Sequence, residues 1–398
     1  MSRVTRGLPS WPYRNTVLAL ATGSFFATMV ARLVLSPNVP AITADLGVSK
    51  SEVGLALTGM WALYALFQFP SGVLGERYGE RRVILAALGL TGAGSALVAV
   101  APGFGAFALF ALCLGGGAGL YFSAGTALLT RQFEKTGHAL GFHTAGGPLA
   151  GLLGPLAAAY VGTRYGWRAA TLLGAAVAVP LFVAAVLALR ETPPVRPETP
   201  VRERFDPGVV VHYLSKPRTA FTTVVAVVTV FVWQSFASFF PTFLVEYHGY
   251  ATGDASAAFA AVFALSAVCL PVLGTLSDRV GRDAVLVTCL VAAGTGFAAL
   301  LAGTGLPALL AGVGGLGVGL SWMGTVQSRL MDTLAVDERG TGFGLVRTVY
   351  MLVSSLGSVV TGTAAEAAGW PVAVGLLVGL VAVTAVALVG NRALGLGL

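Results

Sequence analysis

The chain has 398 residues, 56% of them apolar and only 10% charged, so a water-soluble fold would lack the polar side chains to cover its own surface. Soluble domains carry roughly 25% charged residues, and uncharged stretches as long as these are instead the mark of bilayer-spanning helices. The net charge of +7 would suit a nucleic-acid partner, but about 19 of the 24 Lys and Arg fall in the amino-terminal tail, alternate loops, the central linker and the carboxy tail, which is the positive-inside pattern and not a nucleic-acid face.

Both termini are therefore expected on the cytoplasmic side of the cell (inner) membrane. Arg3, Arg6 and Arg14 precede the first apolar run, and no small-residue cleavage site followed by a polar domain comes after it, so the run reads as a retained span. Six spans are predicted at 15–37, 51–72, 82–100, 104–129, 138–162 and 167–189. Residues 190–218, rich in Pro, Arg and Glu, form a cytoplasmic linker whose 209–214 portion lies on the membrane surface. Six further spans follow at 219–245, 255–275, 284–303, 306–330, 341–364 and 370–391. The predicted fold is thus an all-α integral membrane protein of twelve transmembrane helices, divided into an amino-terminal six-helix bundle (1–189) and a carboxy-terminal one (219–398). Cys113, Cys269 and Cys289 lie inside apolar segments with neither a disulfide framework nor a metal-ligand spacing, and no metal or cofactor is expected. The glycine runs Gly115–Gly119 and Gly312–Gly319 fall inside spans 4 and 10 and read as packing seams. No Walker-type Gly-Lys-Ser or Gly-Lys-Thr cradle is present, which leaves a gradient as the energy source.

The two sets of spans are weakly self-similar at an offset of about 202 residues, as a duplicated unit would leave behind. Gly72-Val-Leu74-Gly-Glu76-Arg77-Tyr-Gly79 matches Gly274-Thr-Leu276-Ser-Asp278-Arg279-Val-Gly281. Gly137 and Gly141 match Gly340 and Gly344, and Tyr165-Gly-Trp167 matches Ala368-Gly-Trp370. A carboxylate on such a helix turn can dock on the positive amino end of a neighbouring helix and pair with Arg, while Gly permits the tight turn.

Both copies of the first landmark resemble the loop signature of the major facilitator superfamily, Gly-x-Leu-x-Asp-Arg-x-Gly-Arg, between helices 2 and 3 and again between 8 and 9. The second copy, with Arg282, is nearly complete; in the first, Glu76 replaces the Asp and Glu80 the final Arg, with Arg81 and Arg82 keeping the basic end. The resemblance implies two pseudo-symmetric six-helix halves that rock about a central site. It also implies that Gly72, Glu76, Arg77, Gly79, Arg81, Arg131, Gly274, Asp278, Arg279, Gly281 and Arg282 act in folding and gating.

An ionisable group inside a span costs at least ~2.5 kcal/mol on the insertion scale, so each is a candidate for function. Arg32 lies in span 1, eight residues before Pro40, and His143 lies in span 5 within His143-Thr-Ala-Gly146-Gly147. Arg347 lies about two turns into span 11, near the position that His143 holds in the first half. The Arg eight before a Pro and the His-x-x-Gly-Gly resemble the organophosphate exchangers, and the Arg alone resembles the anion:cation symporters. Those resemblances imply contact of Arg32 and His143 with an anionic substrate. At the pseudo-symmetric position of Arg32 stands Gln234, where the organophosphate exchangers have a second Arg; Arg347 as the second cation resembles the oxalate exchanger, whose helix 11 carries a Lys. That pattern favours a small carboxylate over a phosphate ester. A guanidinium in a low-dielectric cavity offers such a group a bidentate fork.

Trp61, Tyr64, Gln68, Tyr121, Trp233, Gln234, Trp322, Gln327 and Tyr350 are the aromatic and amide candidates for the cavity wall. No Asp or Glu falls at mid-depth, Glu246 and Glu366 lying near outer ends, so His143 is the evident mid-membrane proton carrier. The expectation is a monomeric carrier in the lipid bilayer for a small organic anion, with a counter-substrate or proton. The alternatives are an exporter of amphipathic drugs and a ligand-binding membrane sensor without flux. An enzyme is disfavoured, because no nucleophile and base pair or metal cluster can be assembled from the polar residues in the spans.

Overall fold

The computed structural model describes residues 12–134, 136–195, 197–198, 207–335 and 339–398. Among these residues every regular element is a helix. Apolar runs of this length cannot leave backbone groups unpaired away from water, and a helix satisfies them within one segment.

The chain begins with α1 (Tyr13–Leu33), which passes through a short turn at Ser36–Asn38 into α2 (Val39–Leu46). There follow α3 (Lys50–Tyr78), α4 (Glu80–Ala99), α5 (Phe104–Gly119), α6 (Phe122–Gln132) and α7 (Thr136–Ala188). A short α8 (Pro207–Leu214) then leads to α9 (Pro217–His248), α10 (Thr252–Val280), α11 (Arg282–Ala302), α12 (Gly305–Gly319) and α13 (Met323–Met331). The chain closes with α14 (Arg339–Ser354), α15 (Leu356–Ala368) and α16 (Trp370–Ala393). Eleven helices among the described residues are long and apolar enough to cross a bilayer, with α1–α2, α5–α6, α12–α13 and α14–α15 each counting once. One of them, α7, has 53 residues. At about 1.5 Å per residue that is roughly 80 Å, more than twice a bilayer core. It breaks at Gly166 (φ 84°, ψ 163°), in the interval where the sequence ends span 5 and begins span 6.

The breaks between α5 and α6 and between α12 and α13 come directly after the glycine runs. Their freed carbonyls are taken by serines of neighbouring helices, Ser71 Oγ donating to Leu120 O (2.5 Å) and Ser266 Oγ to Gly317 O (2.9 Å). The glycines also allow close helix approach: a Cβ at Gly115 would fall 2.0 Å from the Met60 carbonyl oxygen of α3.

The internal repeat is carried by the backbone. Gly79 and Gly281 turn with φ of 88° and 96°, and Gly166 and Gly369 with φ of 84° and 83°, a region that only glycine enters without strain. Beyond the second pair, Trp167 Nε1 donates to Asp45 Oδ2 (3.1 Å) and Trp370 Nε1 to Glu246 Oε2 (3.0 Å). Each Gly-Trp pair therefore holds an acid from its own side of the repeat.

The molecule has two faces. One carries Tyr13, the turns at Gly79 and Gly281, and Leu398, and is called here the termini face. On the opposite, far face the segments before α7 ends and after α9 begins are joined. Ser36 Oγ donates to Ser238 O (3.1 Å), Thr58 Oγ1 to Ser355 O (2.9 Å), and the backbone N–H of Lys50 to Glu366 Oε2 (3.1 Å). Lys50 Nζ also pairs with Glu246 Oε2 at 3.2 Å. Towards the termini face α7 and α10 both carry exposed residues. Gly137, His138, Gly141 and Phe142 are exposed on α7, and so are Val268, Pro271, Val272, Thr275 and Arg279 on α10, whereas the far-face half of α10 is buried around Phe259 and Phe263. Helices α3 and α14 remain in touch, Gln68 Nε2 donating to Met351 Sδ at 3.3 Å.

Candidate functional site

Arg32 is in the last turn of α1 and is 2% exposed. Its Nε donates to Thr28 O (2.9 Å) and its Nη2 to Met29 Sδ (2.9 Å). The guanidinium lies over the Tyr64 ring at 3.8 Å and the Trp61 ring at 4.8 Å. Among the described residues no carboxylate pairs with it, and Nη1 has no partner at all. Taking a cation out of water costs several kcal/mol after relaxation, whereas a desolvated cation–π contact returns about 2 kcal/mol. Neutral neighbours do not close that gap. An anion would.

The second cation, Arg347 of α14, is half-buried and lies 4.6 Å from the centre of the Phe122 ring. Tyr350, one turn further on, sits within electrostatic reach of both Arg347 and Tyr64. Arg32, Tyr64, Tyr350 and Arg347 thus form one continuous line from the interior towards the termini face. His143 is fully buried beside that line, caged by Phe25 (5.2 Å), Tyr121 (5.7 Å) and Phe122 (5.7 Å). Its ring nitrogens make no well-formed hydrogen bond. The Ala21 carbonyl that acts on it is already committed to the Tyr121 hydroxyl at 2.5 Å.

The remaining wall candidates divide. Gln234 is wholly buried with neither amide atom partnered, Gln68 keeps Oε1 unpartnered, and Trp61 and Trp322 keep Nε1 unpartnered. Trp61 meets Trp233 edge to face at 5.5 Å, so the aromatic wall crosses from α3 to α9. Tyr121, by contrast, ties α6 to α1 through Ala21, and Gln327 is half-buried on α13 with no hydrogen bond or ring contact to this group.

At the first signature turn, the Glu76 backbone carbonyl accepts from Val195 N (2.8 Å), Arg77 lies on Tyr78, and Gly79 packs so tightly on Thr192 that a Cβ would meet its carbonyl. Glu80, which stands where the signature has its final Arg, is 1% exposed and pairs with arginine, its Oε1 lying 3.1 Å from Arg131 Nε. Glu80 opens α4 directly after the turn, and its side chain is directed towards α6. Arg81 caps the end of α7 through Leu189 O (2.8 Å) and Val186 O (2.9 Å). Around Gly274 and Gly281 the second turn pairs Arg282 with Asp278 and with Asp332 (3.4 Å), while Asp283 pairs with Arg329 (2.6 Å) and Arg279 is exposed.

Comparison with known proteins agrees with this architecture along the whole chain. The family model for the Major Facilitator Superfamily matches residues 20–268 and, in a second match, 222–393. The chain belongs to the major facilitator superfamily. Among curated relatives, the probable nitrate/nitrite transporter NarK2 of Mycobacterium tuberculosis (strain ATCC 25618 / H37Rv) is 30% identical over 296 residues, covering 71% of this chain and 72% of that protein. The hexuronate transporter of Bacillus subtilis (strain 168) is 25% identical over 296 residues, 68% and 69% of the two chains. The multidrug resistance protein MdtG of Escherichia coli (strain HS) is 28% identical over 295 residues, 70% and 69%. In fold the chain is similar to the nucleoside transporter NupG (TM-score 0.77, 14% identity, 96% and 99% covered). It is similar also to an inward-facing, unoccupied bacterial homologue of the lysosomal transporter Spinster (TM-score 0.74, 18% identity, 96% and 95% covered).

This transporter is accordingly a multi-pass membrane protein. Its sequence pointed to Arg32, His143 and Arg347 but not to Met29, Phe25 or Phe122, the neutral side chains on which those cations and the imidazole rest. Nor did it point to the Lys50–Glu246–Glu366 joint or to the Glu80–Arg131 pair. Lys50 is one of five basic residues outside the positive-inside set, and that exception was the available signal.

Proposed function

We propose that the protein is a twelve-span carrier that moves a small organic anion, a carboxylate, across the cytoplasmic membrane. Two six-helix halves (1–189 and 219–398), joined by the linker 190–218, rock about the site between Arg32 and Arg347, with both termini cytoplasmic. The observation that carries the reading is Arg32: a buried guanidinium with a free Nη1, stacked on rings and paired with no acid among the described residues. The names of the nitrate/nitrite and hexuronate relatives, both handling anions, support it. In this arrangement the joined far face is the closed outer gate, and the exposed termini-face ends of α7 and α10 face the cytoplasm. Arg347 meets an incoming anion first, and Arg32 receives it deeper in. His143 carries a proton or marks the counter-substrate route.

A second reading, export of amphipathic compounds, is favoured by the aromatic wall of Trp61, Tyr64 and Trp233 and by the MdtG relative. Uptake into proteoliposomes preloaded with carboxylates, phosphate esters or a lipophilic cation separates the two. Carboxylate exchange that falls by about a hundredfold or more in Arg32→Gln and in Arg347→Gln is the expected result, as for loss of one partner of a buried charge contact. Flux of only the lipophilic cation, undiminished in both variants, would establish the exporter.

A further inference from the structure

The wall around the two arginines limits what else the anion can carry. Following contacts from Arg32, the path runs to Tyr64 (3.8 Å), to Tyr350, to Arg347, to Phe122 (4.6 Å) and to Phe25 (5.4 Å). Phe25 is on α1, two turns before Arg32, so the path closes on itself. Trp61 extends this ring of side chains to Trp233 across the interface, and Met29 and Met351 supply sulfur acceptors to Arg32 and Gln68. Gln68 and Gln234 offer unpartnered amide atoms and Trp61 an unpartnered indole N–H, and His143 is caged by rings.

We infer that the substrate is a carboxylate on an aromatic or similarly flat, apolar body, with few hydroxyl groups. This rests on the anion reading of the same site. Arginine holds the carboxylate, and the rest of the substrate enters an environment of ring edges and methionine, which favours an offset or edge-on aromatic partner and a polarizable contact. A sugar acid would bring several hydroxyls into the same space. Each hydroxyl buried without a partner lowers affinity by roughly tenfold or more, and two amides with one indole N–H cannot satisfy several hydroxyls that each both donate and accept. A bare inorganic anion such as nitrate would use the arginines but none of the ring surface. The site thereby differs in chemistry from what the names of its nitrate/nitrite and hexuronate relatives would suggest.

The test uses the full chain in proteoliposomes, with phenylacetate, glucuronate, nitrate and a lipophilic cation as radiolabelled probes or competitors. Saturable phenylacetate uptake, with glucuronate and nitrate at least about tenfold weaker as competitors, is the expected pattern. Tyr64→Phe, which keeps the ring, should hold the phenylacetate KM within about threefold, while Tyr64→Leu, which also takes a ring from Arg32, should raise the KM for phenylacetate about tenfold more than that for glucuronate or nitrate. Because Tyr64→Leu can unfold the site, Trp233→Phe and Trp233→Leu provide the same contrast from the other half. Glucuronate or nitrate carried better than phenylacetate, with loss in Arg32→Gln, would overturn the aromatic substrate and leave the anion reading standing. Transport of the lipophilic cation alone, unaffected by Arg32→Gln, would overturn both, and so would the absence of any saturable anion flux in vesicles that contain inserted, folded protein.

Discussion

The two faces of this transporter are held by different kinds of contact. On the far face, hydrogen bonds and ion pairs run between helices on opposite sides of the sequence repeat: Ser36 to Ser238, Thr58 to Ser355, and Lys50 to Glu246 and Glu366. On the termini face the strong pairs among the described residues stay within one side of it, as in Glu80–Arg131 and Arg329–Asp283. A face whose charged groups are satisfied locally can separate from its counterpart without stranding a charge, because no ion pair among the described residues has to break. A face joined across the repeat cannot. The difference teaches that opening of the far face requires compensation for the lost cross-contacts, and the closest source of it is a substrate that neutralises the buried Arg32.

The largest expected effect comes from the termini face. Glu80 is buried and one of its oxygens, Oε2, already lacks a partner, whereas Arg131 is about a third exposed. Arg131→Met should therefore destabilise by about 3–5 kcal/mol, since it leaves a buried carboxylate unpaired. Glu80→Gln, which returns Arg131 to solvent, should cost only about 1–2 kcal/mol, and the double variant should recover most of the loss. Thermal unfolding of the purified protein in detergent measures all three, and equal losses for the two single variants would show that burial of Glu80 is not what sets the scale.

A smaller effect tests the far face by sterics. A Cβ on Gly362 would lie 2.5 Å from the Lys50 carbonyl and 3.1 Å from the Phe239 ring, so Gly362→Ala must push α15 from α3 or α9. Overpacking of this kind costs about 1–3 kcal/mol, and here it acts against the closed far face only. A membrane-impermeant maleimide should then label Ser238→Cys several-fold faster, because Ser238 is covered while the far face is closed. Unchanged labelling together with a fall in melting temperature would mean that the strain is taken up inside the helices.

How far the sequence could anticipate these features depends on what fixes each one. Apolar runs are legible because the bilayer acts on every residue of a span alike, and the repeat is legible because Gly79, Gly281, Gly166 and Gly369 all occupy a region closed to other residues. Arg32 stands out as a charge in an apolar run. Phe122 and Met29 do not, since aromatic and thioether side chains occur throughout such spans and helix rotation alone decides which of them meets a guanidinium. Glu80 reads in the sequence as a departure from the signature, although it supplies the carboxylate that Arg131 needs. The break of α7 at Gly166 falls in the interval predicted between spans 5 and 6, whereas the continuation of α1 through Ser36–Asn38 into α2 runs past the end predicted for span 1 at 37.

The smallest effects sharpen the comparison most, because they use a pair of equivalent acids. Asp45 and Glu246 each accept from the tryptophan of their own Gly-Trp turn, yet Asp45 pairs with Arg168 of the same side while Glu246 pairs with Lys50 across the repeat. Both pairs are solvent-accessible, the Arg168 pair at more than 40% exposure and the Lys50 pair at 22% and 31%, so neither contributes more than about 1 kcal/mol. Lys50→Met should still raise maleimide labelling of Ser238→Cys by about fivefold, the factor that ~1 kcal/mol makes in a two-state equilibrium. Arg168→Gln should change stability by under about 0.5 kcal/mol and leave that labelling where it was. If Arg168→Gln opened the far face as readily as Lys50→Met, charge alone, irrespective of the helices it joins, would be setting the balance between the faces; an effect confined to Lys50 assigns that balance to the contacts that cross.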